Sequence, residues 1–248
     1  MSEEKHLHFF VSDVHLGLNR FDPQTREERF VKFLSELPAQ TGSLYLLGDI
    51  FDFWFEYRYV VPKGFTRVLA AIANLSYRGV DVFFFRGNHD MWTFGYLEKE
   101  TGLRILGEPS VVSIGSKKFC LAHGDTLSKV KSLDNLSQIL FRSRLMQRMF
   151  SMLHPSLTFS FAHKWSENNR ISRGEPISFR GKQDPLYQFC VEFEKSDRAD
   201  YFIFGHMHTP GSVETPAGAK MYILGEWLRG CDYLCYDEKE NIITWMKG

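Results

Sequence analysis

The feature that most constrains the fold is a unit that recurs through the amino-terminal part of the chain: an apolar run, a polar cluster and an amphipathic stretch. Apolar runs over 7–11, 43–47 and 80–85 have the length of strands, and helical periodicity spans 25–37 and 65–77. This alternation predicts right-handed crossovers between parallel strands. In open α/β sheets the site lies beyond the carboxyl ends of the strands, where the polar clusters occur here. We therefore expect that edge of a parallel sheet to carry the chemistry.

The second half of the chain has a different pattern. Residues 111–114 and 118–121 flank a Gly-Ser pair and predict a hairpin. Further short strands are expected around Val213 and over 201–204, 221–224, 233–236 and 242–245. A parallel first half and a hairpin-rich second half predict an α/β fold of two mixed sheets packed face to face with helices outside, a four-layer αββα sandwich. Residues of about 126–184 break this rhythm and predict a helical cap insertion within a single domain over 1–248.

Charge and composition limit the classes of function. The chain has 30 Lys and Arg residues and 30 Asp and Glu residues, so no overall field draws it to nucleic acid or to an anionic membrane. Its polar, acidic start lacks the pattern of a signal peptide, and no apolar stretch reaches the ~18 residues of a membrane span. The cysteines, Cys120, Cys190, Cys231 and Cys235, lack Cys-x-x-Cys spacing, so we expect a reduced, cytoplasmic protein.

Oxygen and imidazole side chains cluster where the predicted strands end. The candidate metal ligands are Asp13, His15, Asp49, Asn88, His123, His206 and His208. Each one alone is more simply explained as a turn aspartate, a loop asparagine or a buried histidine. Their joint placement after successive strands favours a metal site, and this mixture of ligands suits Mn, Fe, Zn or Co. Two such ions that share a carboxylate can activate water and bind a phosphoryl group, so the protein needs no nucleophile of its own.

Five short motifs, in this order, resemble those of the calcineurin-like metallophosphoesterases. They are Asp13-x-His15, Gly48-Asp49-x-x-Asp52, Gly87-Asn88-His89-Asp90, His123-Gly124-Asp125 and Gly205-His206-x-His208. The resemblance implies a hydrolase with two divalent ions, for which manganese is the expected metal and iron, zinc and cobalt are alternatives. One ion would be held by Asp13, His15, Asp49 and His208. The other would be held by Asn88, His123 and His206 together with Asp49, which bridges the two.

The same resemblance suggests catalytic roles for the two residues that follow Asn88. His89 would contact the substrate phosphate and either protonate the leaving oxygen or offset developing charge. Asp90 would orient the His89 ring, as a carboxylate behind a functional imidazole commonly does. The alternative for Asp90 is a structural role as the cap of a helix that begins near Met91.

Longer segments around these motifs carry a finer resemblance. They are residues 48–54, 123–127 and 224–227, together with 149–155 and 162–166 in the insertion. These segments are similar to the UDP-2,3-diacylglucosamine diphosphatases of the lipid A pathway, which implies that water cleaves a diphosphate to release UMP and a diacylglucosamine 1-phosphate. The third motif reads Gly-Asn-Arg-Asp in the best-known branch, so His89 fits either the branch found in Bacteroides-type bacteria or a generic phosphoesterase.

The composition of the predicted insertion is compatible with a lipid substrate. Between Lys129 and Lys182, ten Lys and Arg residues accompany three Asp and Glu residues, with apolar side chains interleaved. A basic, aromatic and Met-rich helical element can accept acyl chains and rest on an anionic membrane surface. The alternative is that these apolar residues pack the insertion onto the core. The residues expected to contact substrate are Trp54, Asn88, His89, Trp165, Ser166, Asn169, Arg170 and Arg173.

Three hypotheses for function follow. The first is hydrolysis of a UDP-linked acylated sugar by a cytoplasmic enzyme, peripheral on the inner face of the inner membrane. The second is a phosphodiesterase, phosphatase or nuclease with a soluble substrate, although the neutral charge disfavours nucleic acid as a partner. A lipid-like cleft between Phe141 and Trp165 would favour the first, and an open polar groove the second. The third is a non-catalytic scaffold, which is disfavoured because such proteins typically lose ligands and every motif ligand is present here.

Overall fold

The first sheet contains the parallel strands predicted for the amino-terminal half. A computed structural model describes residues 4–127, 143–159 and 179–248. The strands are β1 (Leu7–Val11), β2 (Thr41–Leu47), β3 (Asp81–Phe85), β4 (Arg104–Leu106), β10 (Asp232–Asp237) and β11 (Ile242–Lys247). They lie in the order β11-β10-β1-β2-β3-β4. Strands β1 to β4 are parallel, whereas β10 is antiparallel to both of its neighbours, so the sheet is mixed.

The second sheet combines a parallel centre with an antiparallel strand at each edge. Its strands are β5 (Ser110–Ile114), β6 (Lys117–Ala122), β7 (Tyr201–Phe204), β8 (Gly211–Glu214) and β9 (Lys220–Ile223). They lie in the order β5-β6-β7-β9-β8. The hairpin of β5 and β6 and the hairpin of β8 and β9 form the edges, and β7 lies parallel to β6 and β9. The expectation of a hairpin-rich second half is therefore confirmed.

Helices cover the outer faces of the sheets. The helices are α1 (Pro23–Glu36), α2 (Thr66–Tyr77), α3 (Tyr96–Thr101), α4 (Arg144–Met152) and α5 (Pro185–Phe193), and residues 155–159 are also helical. Helix α1 begins where the Asp22 side chain accepts the backbone N–H of Thr25 at 3.2 Å, with Pro23 in the first turn. Of the helices within the described ranges, none is long and apolar enough to cross a bilayer.

The alternation of side chains along the strands separates three apolar layers. Phe9 and Val11 of β1 pack with α1 and α2 on the outer face of the first sheet. Phe10 points the other way, into the layer between the sheets, where its ring stacks on Tyr45 at 5.0 Å and on Phe119 of the second sheet at 5.6 Å. On the far side of the second sheet, β6, β7 and β9 pack against α5. The predicted four-layer αββα arrangement is confirmed.

Some elements differ from the sequence-based prediction. Strand β4 and helix α5 were not predicted, because β4 has only three residues and α5 has apolar side chains on most of its circumference. The short helix α3 begins at Tyr96, five positions after the expected start near Met91. Helix α4 and residues 155–159 lie in the predicted insertion, whereas residues 128–142 and 160–178 lie outside the described residues. The bounds of the insertion at about 126–184 therefore stay a prediction.

Candidate metal centre

The loops that follow five strands meet at one edge of the two sheets. The loops after β1, β2 and β3 carry Asp13, His15, Asp49 and Asn88, and those after β6 and β7 carry His123, His206 and His208. The backbone N–H of His206 donates to Oδ2 of Asp13 at 2.9 Å, which joins the two sheets directly. The structure thus places the predicted ligands from both halves of the chain side by side.

A first cluster contains Asp13, His15, Asp49 and His208, whose donor atoms lie close enough to share one ion. Oδ1 of Asp13 lies 3.3 Å from Nε2 of His208 and 3.7 Å from Nε2 of His15. The Nε2 atoms of His15 and His208 face each other at 3.3 Å. Imidazole nitrogens and carboxylate oxygens that converge in this way are a suitable ligand set for a divalent transition metal.

A second cluster contains Asp49, His123 and His206. Oδ2 of Asp49 lies 3.4 Å from Nε2 of His123, and Oδ1 of Asn88 lies 3.3 Å from the same nitrogen. Oδ2 of Asp49 is also 3.9 Å from Nε2 of His15 in the first cluster. A carboxylate that belongs to both clusters is placed to bridge two ions, the role that the resemblance implies for Asp49.

Two of the ligand imidazoles are held through Nδ1, so that Nε2 is directed into the clusters. Nδ1 of His123 lies 2.8 Å from the backbone carbonyl oxygen of Leu47, and Nδ1 of His208 lies 2.8 Å from Oε2 of Glu226. A proton on Nδ1 that is donated to these oxygens leaves the lone pair of Nε2 available to a metal. Glu226 therefore fixes the tautomer and the orientation of His208.

Asp52 lies behind two further imidazoles. Its Oδ1 is 3.4 Å from Nδ1 of His15 and 3.6 Å from Nδ1 of His89. The backbone carbonyl oxygen of Asp52 also accepts a hydrogen bond from Nδ1 of His89 at 2.8 Å. One residue thus orients both a candidate metal ligand and the candidate catalytic histidine, whose Nε2 is left for substrate.

The prediction that Asp90 orients the His89 ring is wrong, since Asp52 takes that position. The buried carboxylate of Asp90 instead accepts four backbone N–H groups: those of Asp49 and Phe51 at 3.2 Å and those of Ile50 and Gly87 at 2.8 Å. These hydrogen bonds join the loop after β2 to the loop after β3. Asp90 therefore holds together the backbone that presents Asp49 and Asn88.

The alternative role of Asp90 as a helix cap is also wrong. Helix α3 begins at Tyr96, and the residue that precedes it is Gly95. Burial and the nearby charge of Asp49 raise the pKa of Asp90 to about 7, while the backbone donors act in the opposite direction. Asp90 is accordingly a structural clamp of the loops and does not contact the reacting groups through the His89 ring.

The electrostatics of the first cluster fit a cation. Within the described part of the chain, Oδ1 of Asp13 is buried and has no hydrogen-bond partner, although it points at two imidazoles. Burial raises the pKa of the Asp13 carboxyl, but the neighbouring His208 and His15 outweigh burial and hold this pKa well below its usual range. A buried carboxylate that stays ionised and has one oxygen without a hydrogen bond is suited to bind a metal ion through that oxygen.

The second cluster is also poised to bind a cation. Burial opposes ionisation of Asp49, but His123 and His89 lower its pKa well below the ordinary value. Burial and the nearby His123 lower the pKa of His206 to about 4, so His206 is neutral at pH 7. Asp49 raises the pKa of His123 well above its ordinary value despite burial, so a bound metal would replace a proton there. The donor set therefore fits two divalent ions.

The ligand loops have a strained backbone. Five of the candidate ligands lie in the left-handed region with φ between 50° and 68°: Asp13, His15, Asp49, His206 and His208. Residues other than glycine rarely adopt this conformation, and it persists where the surrounding structure enforces it, often at functional sites. Here the buried strands and the hydrogen bonds between loops fix it, so side chains separated by one residue reach the same cluster.

Two glycines allow the loops to approach each other. A Cβ atom at Gly205 would collide with Oγ of Ser12 and lie 2.7 Å from Oδ2 of Asp13. A Cβ atom at Gly87 would collide with Oδ1 of Asp49. The glycines of the third and fifth motifs are therefore required because the ligands lie against their backbone.

The predicted substrate contact of Trp54 is wrong. Its side chain is fully buried in the core against Phe51 and Phe65, and its indole N–H donates to Oε1 of Glu56 at 3.2 Å. The other predicted contacts in the insertion, Trp165, Ser166, Asn169, Arg170 and Arg173, lie outside the described residues. Asn88 lies beside His123 of the second cluster, and the ring of His89 packs against His15 of the first cluster with 5.0 Å between centroids. Their contact with substrate stays a prediction.

The described part of the insertion packs onto the loops that carry the site. The ring of Phe159 packs edge-on against Phe53, with 5.1 Å between centroids, and Phe150 of α4 lies 4.8 Å from Trp92. Phe53 follows the motif of β2, and Trp92 follows the motif of β3. These described residues of the insertion therefore lie against the loops after β2 and β3.

Sequence reasoning did not assign roles to Asp52 and Glu226, although both stand in segments that carried the resemblance. Their roles depend on contacts with imidazoles 37 and 18 positions away, namely His89 and His208. The spacing of Asp52 within its motif was the only signal for it, and Glu226 had none beyond its place in a family-like segment.

Comparisons with known proteins agree with this geometry. The family model of the calcineurin-like phosphoesterases matches residues 9–210. The UDP-2,3-diacylglucosamine hydrolase of Porphyromonas gingivalis is 36% identical over 255 aligned positions, which cover 96% of this chain and 97% of that protein. The enzyme of the same name from Haemophilus influenzae is 29% identical, with 88% and 90% of the two chains covered. The crystal structure of a dimetal phosphatase from Danio rerio superposes with a TM-score of 0.52 at 16% identity, covering 99% of this chain and 96% of that one.

Proposed function

Because this chain belongs to the calcineurin-like phosphoesterase family, we propose that it hydrolyses the diphosphate of UDP-2,3-diacylglucosamine to UMP and 2,3-diacylglucosamine 1-phosphate. It is a metal-dependent hydrolase, and the observation that carries the choice of substrate is its similarity to the Porphyromonas enzyme along nearly the whole chain. The complete set of motif ligands supports turnover rather than a scaffold role.

The chain holds divalent metal in the two clusters that share Asp49, and we propose manganese as the native ion. The residues assigned to one ion are Asp13, His15, Asp49 and His208, and those assigned to the other are Asp49, Asn88, His123 and His206. When bound, such ions supply positive charge to the phosphoryl oxygens and make water a stronger nucleophile. The strained loops hold the ligands in place beforehand, so little rearrangement is needed.

His89 is assigned the role of proton donor or charge stabiliser for the leaving phosphate. Its Nδ1–H is donated to the carbonyl oxygen of Asp52, which leaves Nε2 directed away from that loop. Its side chain is about one-fifth exposed, so a substrate can reach it. A protonated imidazole in this position donates from Nε2 to the oxygen that departs. Asp52 keeps the ring in this orientation through its backbone carbonyl oxygen.

The exposed face of α4 is proposed to bind the acyl chains and to rest on an anionic membrane surface. Its exposed apolar side chains are Leu145, Met149 and Met152, and Leu153 and Leu157 extend the same patch. Arg144 and Arg148 are exposed on the same helix. An apolar stripe with basic neighbours is suited to acyl chains below anionic head groups. On this proposal the enzyme works at the cytoplasmic surface of the inner membrane.

A substrate panel tests the proposed reaction. The metal-loaded enzyme is assayed with UDP-2,3-diacylglucosamine, a cyclic nucleotide, single-stranded DNA and a phosphopeptide at equal concentrations. We expect the UDP-lipid to give the highest kcat/KM, with UMP as a product. A higher kcat/KM for any of the soluble substrates would refute the lipid assignment in favour of a general phosphoesterase.

The acyl surface has a separate test. Met149→Ser is expected to raise KM for the UDP-lipid in mixed micelles, because it removes apolar contact area from an exposed residue. Met246→Ser is the matched control, since Met246 is also partly exposed but lies on the edge strand β11. Equal KM values for the two variants would argue against an acyl surface on α4.

A further inference from the structure

An aromatic ring and a guanidinium group form an exposed pair on the loops that follow β1 and β9. The side chain of Phe21 is 49% exposed, and Cζ of Arg229 lies 5.0 Å from the centre of its ring. Phe21 lies on the segment that leads from His15 into α1, and Arg229 follows Glu226 in the loop after β9. Both residues are thus attached to loops that position the first cluster.

The segment that carries Phe21 is held rigidly. Phe21 has a φ of 52°, a conformation that a bulky residue rarely adopts without enforcement. The guanidinium of Arg26 donates to the carbonyl oxygens of Leu18 at 2.6 Å and of Arg20 at 3.0 Å. The N–H of Leu18 donates to the carbonyl oxygen of His15 at 3.3 Å, which ties the segment to a candidate ligand. A half-exposed aromatic residue on a backbone held in this way is placed to contact a ligand.

The loop that carries Arg229 is anchored in the same way. The backbone N–H of Trp227 donates to the carbonyl oxygen of Asp13 at 3.0 Å, and the Trp227 ring is buried against Phe30 and Phe33 of α1. The hydrogen bond to the Asp13 backbone fixes the loop, and the fold therefore determines where the backbone of Arg229 lies relative to Phe21.

The pair and the described residues of the insertion lie on different loops around the centre. Phe150 and Phe159 contact Trp92 and Phe53 of the loops after β3 and β2, whereas the pair belongs to the loops after β1 and β9. A diphosphate ester has one substituent on each side of the bond that breaks. If the acylated sugar extends toward the insertion, the nucleoside extends toward Phe21 and Arg229.

We propose that Phe21 and Arg229 form the subsite for the nucleoside monophosphate half of the substrate, an inference that rests on the proposed function. The ring of Phe21 offers a face on which a pyrimidine base stacks, as bases stack on exposed aromatic side chains in many nucleotide-binding proteins. The guanidinium of Arg229 donates hydrogen bonds to the phosphate or to a carbonyl oxygen of the base. The pair therefore favours a nucleoside over an alkyl group on that phosphate.

The subsite is tested with UMP and inorganic phosphate as ligands of the metal-loaded enzyme, by calorimetric titration. Phe21→Ala is expected to weaken UMP binding about tenfold through the loss of stacking, with little change for phosphate. Phe21→Trp should retain UMP affinity, because it keeps an aromatic face. Arg229→Ala should weaken UMP binding by a similar factor.

Matched control variants are available on distant surfaces. Tyr77→Ala removes an exposed aromatic ring at the end of α2, and Arg198→Ala removes an exposed arginine before β7. Both should bind UMP as the wild type does. Equal UMP affinity in Phe21→Ala and the wild type would overturn the subsite. An equal loss of affinity for UMP and for phosphate in Phe21→Ala would also overturn it. If the wild type leaves the UDP-lipid intact, the proposed function itself fails; if it cleaves the lipid but Phe21→Ala behaves normally, only the subsite fails.

Discussion

Glu226 and Asp52 illustrate how single residues act at this centre. Each places an oxygen beside the Nδ1 atom of an imidazole, and each thereby decides which nitrogen of that ring faces the cluster. A candidate ligand histidine is a suitable metal ligand only in one tautomer and one orientation. Asp52 and Glu226, which lie behind the ligands, are therefore part of the site.

Replacing Glu226 should weaken metal binding. Glu226→Ala removes the acceptor of the His208 Nδ1–H, and we expect a loss of roughly 10-fold to 100-fold in metal affinity. Glu226→Gln keeps an oxygen in reach of Nδ1 and should lose less. Metal affinity is measured by titration of the metal-free protein. Identical affinities for Glu226→Ala and the wild type would mean that the contact does not position the ring.

Replacing His89 should separate catalysis from metal binding. His89→Ala is expected to lower kcat by roughly 10²-fold to 10⁴-fold, as the loss of a general acid does. The metal content should stay at the wild-type level, because the ligands themselves are intact. His6→Ala, which changes a partly buried histidine just before β1, is the control. A wild-type kcat in His89→Ala would remove the residue from the mechanism.

At the scale of the elements, the site depends on how closely loops approach at the ends of the strands. The motif glycines leave no room for a side chain, and the carboxylate of Asp90 joins two loops through backbone N–H groups. At the other end of the first sheet, His8 connects β1 to β2 and to the segment after β10. Both arrangements arise from the pairing of strands that are distant in sequence.

The close approach of the loops predicts the effect of a single methyl group. Gly205→Ala should displace Asp13 and abolish tight metal binding, because the new Cβ would collide with the Ser12 side chain. Gly107→Ala is the matched control, since a Cβ there meets no atom of the described residues within 4 Å. Metal content by elemental analysis and the circular dichroism spectrum should show a folded, metal-poor Gly205→Ala protein. Full metal content in that variant would contradict the packing argument.

His8 predicts a dependence of stability on pH. Burial lowers the pKa of His8, although Glu238 and Asp237 act against burial, and its ring contacts Oγ of Ser43 at 2.7 Å. The folded protein therefore binds a proton at His8 less readily than the unfolded chain, whose histidine titrates near 6.5. Protonation below that pH favours unfolding, so the stability contributed by neutral His8 is present above about 6.5 and is lost as the pH falls.

The measurement is the free energy of unfolding of the metal-loaded protein between about pH 7 and pH 5, by denaturant titration. His8→Gln should show a shallower decline than the wild type across this window. Parallel curves for His8→Gln and the wild type would show that His8 does not contribute to acid sensitivity.

At the scale of the whole molecule, the metal centre connects two sheets that otherwise meet through an apolar layer. Asp13, Asp49 and Asn88 come from the first sheet, and His123 and His206 come from the second. The layer between the sheets is aromatic, with Phe10 stacked between Tyr45 and Phe119. Bound metal therefore adds a polar link at one edge of a sandwich whose interior is held by burial of apolar surface.

Metal removal should lower the stability of the whole domain. A ligand that binds only the folded state adds about 2.7 kcal/mol when its free concentration is a hundred times Kd, which corresponds to roughly 5–10 °C in Tm for a domain of this size. We expect a chelator to lower the Tm of the wild type by an amount of this order. The Tm of His206→Ala should respond much less. A wild-type Tm that does not change with metal would show that the clusters do not link the sheets.

The sequence by itself determined the strand and helix order, the two-sheet architecture and the set of candidate ligands. It could do so because side-chain periodicity follows the burial of each element, and because parallel strands bring their carboxyl ends to one edge. Leu7–Val11 and Tyr201–Phe204 have the predicted bounds for this reason. Short or evenly apolar elements such as β4 and α5 carry no such period, and they were missed.

Only the tertiary structure decided what lies behind the ligands. Their place in or beside the motifs predicts a catalytic role for Asp90 and a substrate contact for Trp54, yet Asp90 joins the backbone of two loops and Trp54 is a core residue. Asp52 and Glu226 took on positioning roles because folding brought them to imidazoles far along the chain. Residues that are neighbours in sequence share a loop, but the atoms that orient a ligand come from other loops that pack against it. The sequence around the ligand does not indicate which loops these are.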